Sequence, residues 1–332
     1  MKVDLFSGAI RQALLACVAV AASSATSIPA HAQGYPCTLL KIVSPYPPGG
    51  TTDILARLIS PGLNASLGIP VVVENKGGAS SNIGTEAVAR AKPDGCTVLL
   101  GNNTGVAINR NLYKLNIDPV KDLVPVIEVA AVPLVLYVNA AAIRVSNVQD
   151  LVSLIKGASG KYSYASGGSG SPQHLAGEIL KLERGLDLTH VPYRGQGPAM
   201  LDVIAGHAQV AFETTTALMP YLQSGKIRAL ATTGPKRAEA QQDLPTMKEA
   251  GFPEFEVTNW YGIFVPKGTP APLVERLNTE LNKVLSSPDT RGKLAAMGSD
   301  SVHGSPEAFR DFIAREIPFW EAVVKRSNAR VD

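Results

Sequence analysis

The sequence predicts an α/β protein of two α/β domains, joined by two crossing strands with a ligand cleft between them. Short apolar runs alternate with amphipathic segments from residue 37 onward, which is the pattern of a parallel sheet covered by helices. Two stretches, residues 126–140 and 256–269, are too β-rich for helices, and proline interrupts the first, so both read as connections between sheets. They flank a middle α/β unit. The first domain is therefore discontinuous, residues 33–134 with 257–332, and the second domain, 135–256, is inserted on two strands.

The elements follow in order. "TLLKIVS" is a strand, "TTDILARLISPGLNASL" a helix, "PVVVEN" a strand, "SNIGTEAVARAKPDG" a helix and "TVLLG" a strand. After the first connection come the helix "NVQDLVSLIKGA", the strand "KYSYAS", the helix "PQHLAGEILKLERG" and the strand "LTHVPY". The helix "GPAMLDVIAGH", the strand "AQVAFE", the helix "TALMPYLQSG" and the strand "IRALATT" complete the middle unit. The second connection leads into three helices, "PLVERLNTELNKVLSS", "PDTRGKLAAMG" and "SPEAFRDFIAREIPFWEAVVKRS". Crossovers in such sheets are right-handed, which leaves few topologies.

Residues 1–32 stand apart. Lys2 and Arg11, the apolar "ALLACVAVAA" and the small residues "AHA" form a secretory signal peptide with cleavage after Ala32. The apolar run is shorter than the roughly 18 to 20 residues that span a bilayer, and no later run is long enough. The expected location is the periplasm. The formal charge of +3 falls to +2 on removal, since the segment carries Lys2 and Arg11 against Asp4. So small a charge, with no basic run or aromatic cluster, argues against nucleic acid. Two cysteines remain, Cys37 and Cys96, each just before a strand. If those strands are parallel neighbours the thiols share one sheet edge within bridging distance; two unpaired thiols is the alternative reading.

Candidate binding residues cluster where strands end and helices begin, the place where open parallel sheets hold ligands. In "PYPPGGTTD", Pro47 and Pro48 stiffen the turn, Gly49 and Gly50 permit close approach, and Thr51 or Thr52 opens a helix whose N–H groups suit an anion. Asp53 is expected to partner those amides. "YASGGSGSPQHLAGE" repeats the design in the second domain, with Ser171 as N-cap and Pro172 in the first turn. "GNNTG", "VPYRGQGPA" and "FETTT" supply further strand ends. For the charged Arg194 and Glu213, ligand contact and a structural role both stay open.

Enzymatic readings fare poorly. "GGSGS" is not a nucleophile elbow, "GASGKYS" lacks the phosphate-loop spacing, and no dinucleotide fingerprint follows a strand. His174, His190, His207 and His303 are dispersed, so neither a metal nor a cofactor is expected. A hydrolase using Ser166 or Ser171 with His174 is the remaining catalytic alternative.

Taken together, "PYPPGGTTDILAR", "VVVENKGGASSNIGTEAVARAKPDGCTVLLG", "YASGGSGSPQHLAGE", "HVPYRGQGPAMLDVIAGHAQVAFE", "GKIRALATTGPKR", "LPTMKEAGFP" and "WYGIFVPKGTPAPLVERLN" resemble the substrate-binding proteins of the tripartite tricarboxylate transporter family, the Bug receptors. The resemblance spans residues 36–330. It implies a type II periplasmic binding-protein fold and a monomeric, non-catalytic receptor. Such a receptor would deliver a di- or tricarboxylate, an acidic amino acid or an aromatic acid to a membrane permease, or report it to a sensor. Carried over by motif, Pro48, Gly49, Gly50 and Thr51 line one side of the pocket and Ser166, Gly170 and Ser171 the other, with Gly195 and Glu213 at neighbouring strand ends. Tyr46, Asn103, Thr104 and His174 complete the expected ligand-binding set. Tyr46 stands where phenylalanine is common, Cys96 where tyrosine is usual and Glu213 where aspartate is frequent. The longer Glu213 carboxylate can meet an ammonium group or a neutral polar end of a ligand.

Overall fold

Alternation along the strands decides the layering. In β1 (Leu40–Ser44), Leu40 and Ile42 face one side and Val43 the other. In β3 (Thr97–Asn102), Val98 and Leu100 oppose Leu99 in the same way. Both faces are thus apolar and both are covered, as a parallel sheet requires. The computed structural model describes residues 35–237, 241–296, 298–327 and 329–331. The signal-peptide reading falls outside these residues.

β1 runs parallel to β2 (Val71–Asn75) on one side and to β3 on the other. β9 (Thr258–Pro266) and then β4 (Leu123–Asn139) extend this first sheet with antiparallel pairing. β4 is 17 residues long and serves two sheets. Its pairing with β9 ends at Pro133↔Thr258, and from Leu134 onward it pairs with β7 (Val210–Thr214) and β8 (Ile227–Thr232). Register shifts follow Pro125 and Glu128; a proline, which has no N–H to donate, is tolerated where a ladder is broken. The second sheet continues through β5 (Tyr162–Ser166) to β6 (Leu188–Pro192), both parallel to β7. Thr233 fastens the crossing point: its hydroxyl accepts from Leu134 N–H at 2.9 Å and donates to the Val257 carbonyl at 2.6 Å.

Helices α1 (Thr51–Leu67) and α7 (Ala271–Ser286) cover one face of the first sheet through Leu55, Ile59, Leu277 and Leu281. α2 (Asn82–Ala89) and α9 (Pro306–Ser327) lie on the other, α9 bringing Phe309 against Trp260 and Phe264. That apolar cluster continues into the second sheet through Leu134, Leu136, Phe212 and α4 (Pro172–Arg184). α5 (Gln196–Ala205) covers the opposite face of the second sheet with Met200 and Val203, α6 (Thr215–Leu222) joins it there through Leu218, and α3 (Val148–Lys156) packs on the α4 side. α8 (Pro288–Ala296) follows α7. No helix among the described residues is long and apolar enough to cross a membrane.

The expected elements recur with small boundary shifts, but two differ. The helix read over 81–95 stops at Ala89, leaving a Lys-Pro-Asp-Gly turn, because proline disfavours helix in the residue before it. Within "GNNTG" the chain already coils into a π-helical turn, Thr104–Ile108, a geometry frequent at functional sites. Cys37 and Cys96 are bridged, with Cα atoms 5.6 Å apart. β1 and β3 are parallel neighbours, so the residues that precede them meet at the end of the sheet opposite the cleft.

Candidate functional site

The site is assembled from the carboxyl ends of strands. After β1, Gly49 adopts φ +89° and donates its N–H to Asp53 Oδ2 at 3.1 Å. Burial works against a charge on Asp53, but hydrogen bonds from Arg57, that N–H and Asn75 outweigh it and hold the carboxyl below its usual range. Asp53 thus braces the turn, as the sequence suggested. Gly50 then opens α1 with no side-chain cap. A Cβ on Gly50 would sit 3.3 Å from Gln196 Oε1, so the start of α1 faces the start of α5. Gly195 opens α5, also without a side-chain cap, with φ +127° and Pro47 only 3.1 Å from where its Cβ would be.

Two more helices begin uncapped around the same cleft, α2 at Ser81 and α6 at Thr214. Ala79, Ser80 and Ser81 all have positive φ, a costly run for residues with side chains and one that concentrates at functional sites. Uncapped first turns leave N–H groups without intrahelical partners and present the positive end of the helix dipole. Four such turns favour an anion.

The two sides touch. Thr51 Oγ1 and Thr214 Oγ1 are 2.5 Å apart, Ser80 and Tyr113 both donate to the Ser169 carbonyl, and Thr216 meets Ser299 at 2.6 Å. At the mouth lies an open cavity of about 800 Å³ whose lining includes Tyr46, Ser80, Ser81, Gly167, Gly168 and Arg194. Deeper in, Thr85 Oγ1, Asn103 Oδ1, Gln173 Oε1 and Asn259 Oδ1 are buried with no hydrogen-bond partner among the described residues, while Ser81 and Thr104 lie beside the Tyr46 hydroxyl. Buried polar atoms are normally satisfied, and four around one cleft mark a surface built to meet something polar.

The expected residues take different roles here. Pro48 and Gly49 are exposed at the rim, and Arg194 is exposed at the mouth. Gly50, Thr51, Gly195, Asn103 and Thr104 are buried at the cleft. Tyr46 is buried with its hydroxyl beside Asn102, and burial raises its pKa. Ser171 caps α4, its Oγ accepting from His174 N–H at 3.2 Å. The His174 ring accepts the Gly170 N–H on Nδ1, and burial lowers its pKa to about 4, so it is a neutral clamp on the turn. Ser166 Oγ bonds Gly168 and lies 2.7 Å from His190 Nε2. Neither serine is paired with His174 as a base. Glu213 is 2% exposed, and burial raises its carboxyl to about 7 against opposing hydrogen bonds from Thr214 and Gln173.

Sequence reasoning missed Ser81, Thr85, Gln173, Gln196, Thr214 and Asn259. A signal existed for four of them. "KGGASSN" is a third glycine-rich turn leading from a strand to a helix, and Gln173, Gln196 and Thr214 lie inside stretches already singled out. Thr85 and Asn259 carry no local signal.

Residues 55–329 match the family model described as "Tripartite tricarboxylate transporter family receptor". Protein BugT of Bordetella pertussis is 35% identical, the match covering 93% of this chain and 95% of BugT. The structure of the periplasmic binding protein BugD superposes with a TM-score of 0.85 at 34% identity, covering 90% of this chain and 100% of BugD. The structure of R. palustris Rpa4515 with adipate gives 0.87 at 35% identity, with the same coverage.

Proposed function

Because this chain belongs to the tripartite tricarboxylate transporter receptor family, whose members are periplasmic solute-binding receptors rather than enzymes, we propose that it captures a small carboxylic acid and delivers it to the membrane permease of such a transporter. The observation that carries this reading is the opposition of two uncapped helix starts, α1 at Gly50 and α5 at Gly195, across a cleft lined by buried polar atoms without partners. Charge-assisted hydrogen bonds from backbone N–H groups hold one carboxylate without an arginine clamp.

Capture is by closure. Residues 33–134 with 257–332 form one lobe and 135–256 the other, and they rotate about the two crossings that Thr233 joins. The ligand favours the closed arrangement because only there do both helix starts reach it. Export to the periplasm by the signal peptide, with cleavage after Ala32, completes the reading. Adipate in a relative of 35% identity supports the class of ligand.

A thermal-shift screen of residues 33–332, refolded to remove carried-over ligand, tests the proposal against dicarboxylic, tricarboxylic, aromatic and amino acids. A ligand at 100 times its Kd stabilises by about 2.7 kcal/mol. A shift with one chemical subset supports the receptor reading; no shift with any acid contradicts it.

A further inference from the structure

Phe312, Glu316 and Phe319 recur along α9 at helical spacing, so one face of the helix brings two rings and a carboxylate toward β4 and β9. There they line a cavity of about 570 Å³ together with Glu128 of β4 and Trp260 of β9, while Glu254 and Glu256 stand exposed at its rim. This cavity shares no lining residue with the one at the cleft mouth.

Its carboxylates are held in place but not neutralised. Trp260 Nε1 and Trp320 Nε1 both donate to Glu316 Oε2 at 2.8 Å, which fixes the group and leaves Oε1 without a hydrogen-bond partner among the described residues. Glu128, half-buried, accepts no hydrogen bond among those residues, and none of the glutamates at the cavity is in an ion pair there. Arg315 acts on Glu316 only from beyond ion-pair distance. Burial, and then the Glu316 charge, raises the Glu128 carboxyl to about 7, and burial raises Glu316 as well.

The walls are aromatic. Trp260 and Phe312 lie 5.8 Å apart between ring centres at 77°, so the two rings form the corner of a cage, and Phe319 at the rim is 42% exposed. Aromatic rings and carboxylates both favour a cation and disfavour an anion. A metal ion takes oxygen ligands and gains nothing from the rings. An alkylammonium or guanidinium brings N–H donors for Glu128 and Glu316 Oε1 and a carbon stem for the aromatic walls. We propose that this cavity is a second binding site, separate from the carboxylate cleft, for a free organic cation of the primary amine or guanidine class. Its volume falls within the roughly 300–1,000 Å³ of small-molecule sites.

The sequence holds two tryptophans, and both donate to Glu316, so intrinsic fluorescence reads this site directly. Residues 33–332 are titrated at pH 8, where Glu128 is ionised without help, with agmatine, putrescine and butylamine, and with choline and potassium chloride at matched ionic strength. An amine or guanidine should change the fluorescence saturably, with one-to-one stoichiometry by calorimetry. Its Kd should lie at least about tenfold below those of choline and potassium, the scale of a charge-assisted hydrogen bond. Glu128→Gln should weaken binding at least about tenfold, and Phe319→Ala, a change at the exposed rim, should weaken it too, in variants whose thermal melting shows them folded. No saturable change with any amine or guanidine, equal affinity for choline or potassium, or a Kd untouched by either substitution overturns the proposal. The carboxylate-receptor reading stands or falls separately, since no acid enters these titrations.

Discussion

Thr51, the first residue of α1, and Thr214, the N-cap position of α6, meet hydroxyl to hydroxyl at 2.5 Å, joining the first sheet's helices to those of the second. Neither hydroxyl caps its own helix. On the closure proposed above, the contact forms only when the two sides are together and so contributes to the energetics of closing. Thr51→Val keeps the branched shape and removes the bond, and should weaken ligand binding by about 1 kcal/mol, roughly fivefold in Kd. Calorimetry on the variant reads this directly; an unchanged Kd would remove the pair from the closing step.

Steric access to the helix starts gives a sharper prediction. Gly195 has φ +127°, a conformation that disfavours any side chain, and faces Pro47; Gly50 has an ordinary φ of −84° and faces Gln196. Gly50→Val therefore adds bulk to the cleft without backbone strain. It should abolish measurable ligand binding while the melting temperature of the free protein stays close to that of the wild type. Wild-type affinity in this variant would place the ligand elsewhere.

Glu213 fixes a pH dependence. Its carboxyl is raised from the ordinary 4.5 to about 7 by burial, so between these values the unfolded chain is ionised while the folded protein still holds the proton. Folding stability from this group is greatest below pH 4.5, falls as pH rises and levels off above about 7, a loss of roughly 3 kcal/mol. Glu213→Gln should therefore stabilise the ligand-free protein at pH 8 relative to wild type, with the advantage shrinking toward pH 4.5. Urea unfolding of both proteins at the two pH values measures it; an advantage that grows toward low pH would reverse the sign and refute the assignment.

The disulfide separates stability from function. Cys37 and Cys96 are 59 residues apart and sit at the amino ends of β1 and β3, whereas the cleft lies at their carboxyl ends. On the chain-entropy account, a bridge of this span stabilises by roughly 4 kcal/mol. The Cys37→Ser, Cys96→Ser double variant should unfold at markedly lower urea but bind ligand with unchanged affinity under native conditions. A large loss of affinity in the folded variant would show that the bridge also shapes the cleft.

Much of this architecture was legible because it is written locally. α1 spans the residues read from its glycine turn and apolar periodicity, and Ser171 caps α4 where serine followed by proline announced it. The long β4 showed itself through "VIEVAAVPLVLYVNA", whose β-branched residues and proline resist a helix. What escaped depends on long-range burial. Gln173 follows a proline on a helix and Asn259 is the second residue of an apolar strand, and nothing nearby reveals that each ends buried with an amide oxygen that has no partner among the described residues. The π-helical turn at Thr104 escaped because residues 104–108 read equally well as loop or helix, and packing against α9 and β3 decides. Ser166 was read as facing the ligand, but its hydroxyl turns to Gly168 and His190, a choice set by the loop it terminates.

The central claim is that uncapped helix starts at Gly50 and Gly195 recognise a carboxylate. It is tested most directly by calorimetry with the best acid from the screen and with its methyl ester at the same carboxylate. The acid should bind one-to-one and the ester at least about a hundredfold more weakly, since charge-assisted hydrogen bonds are forfeited. Equal affinity for acid and ester would contradict it.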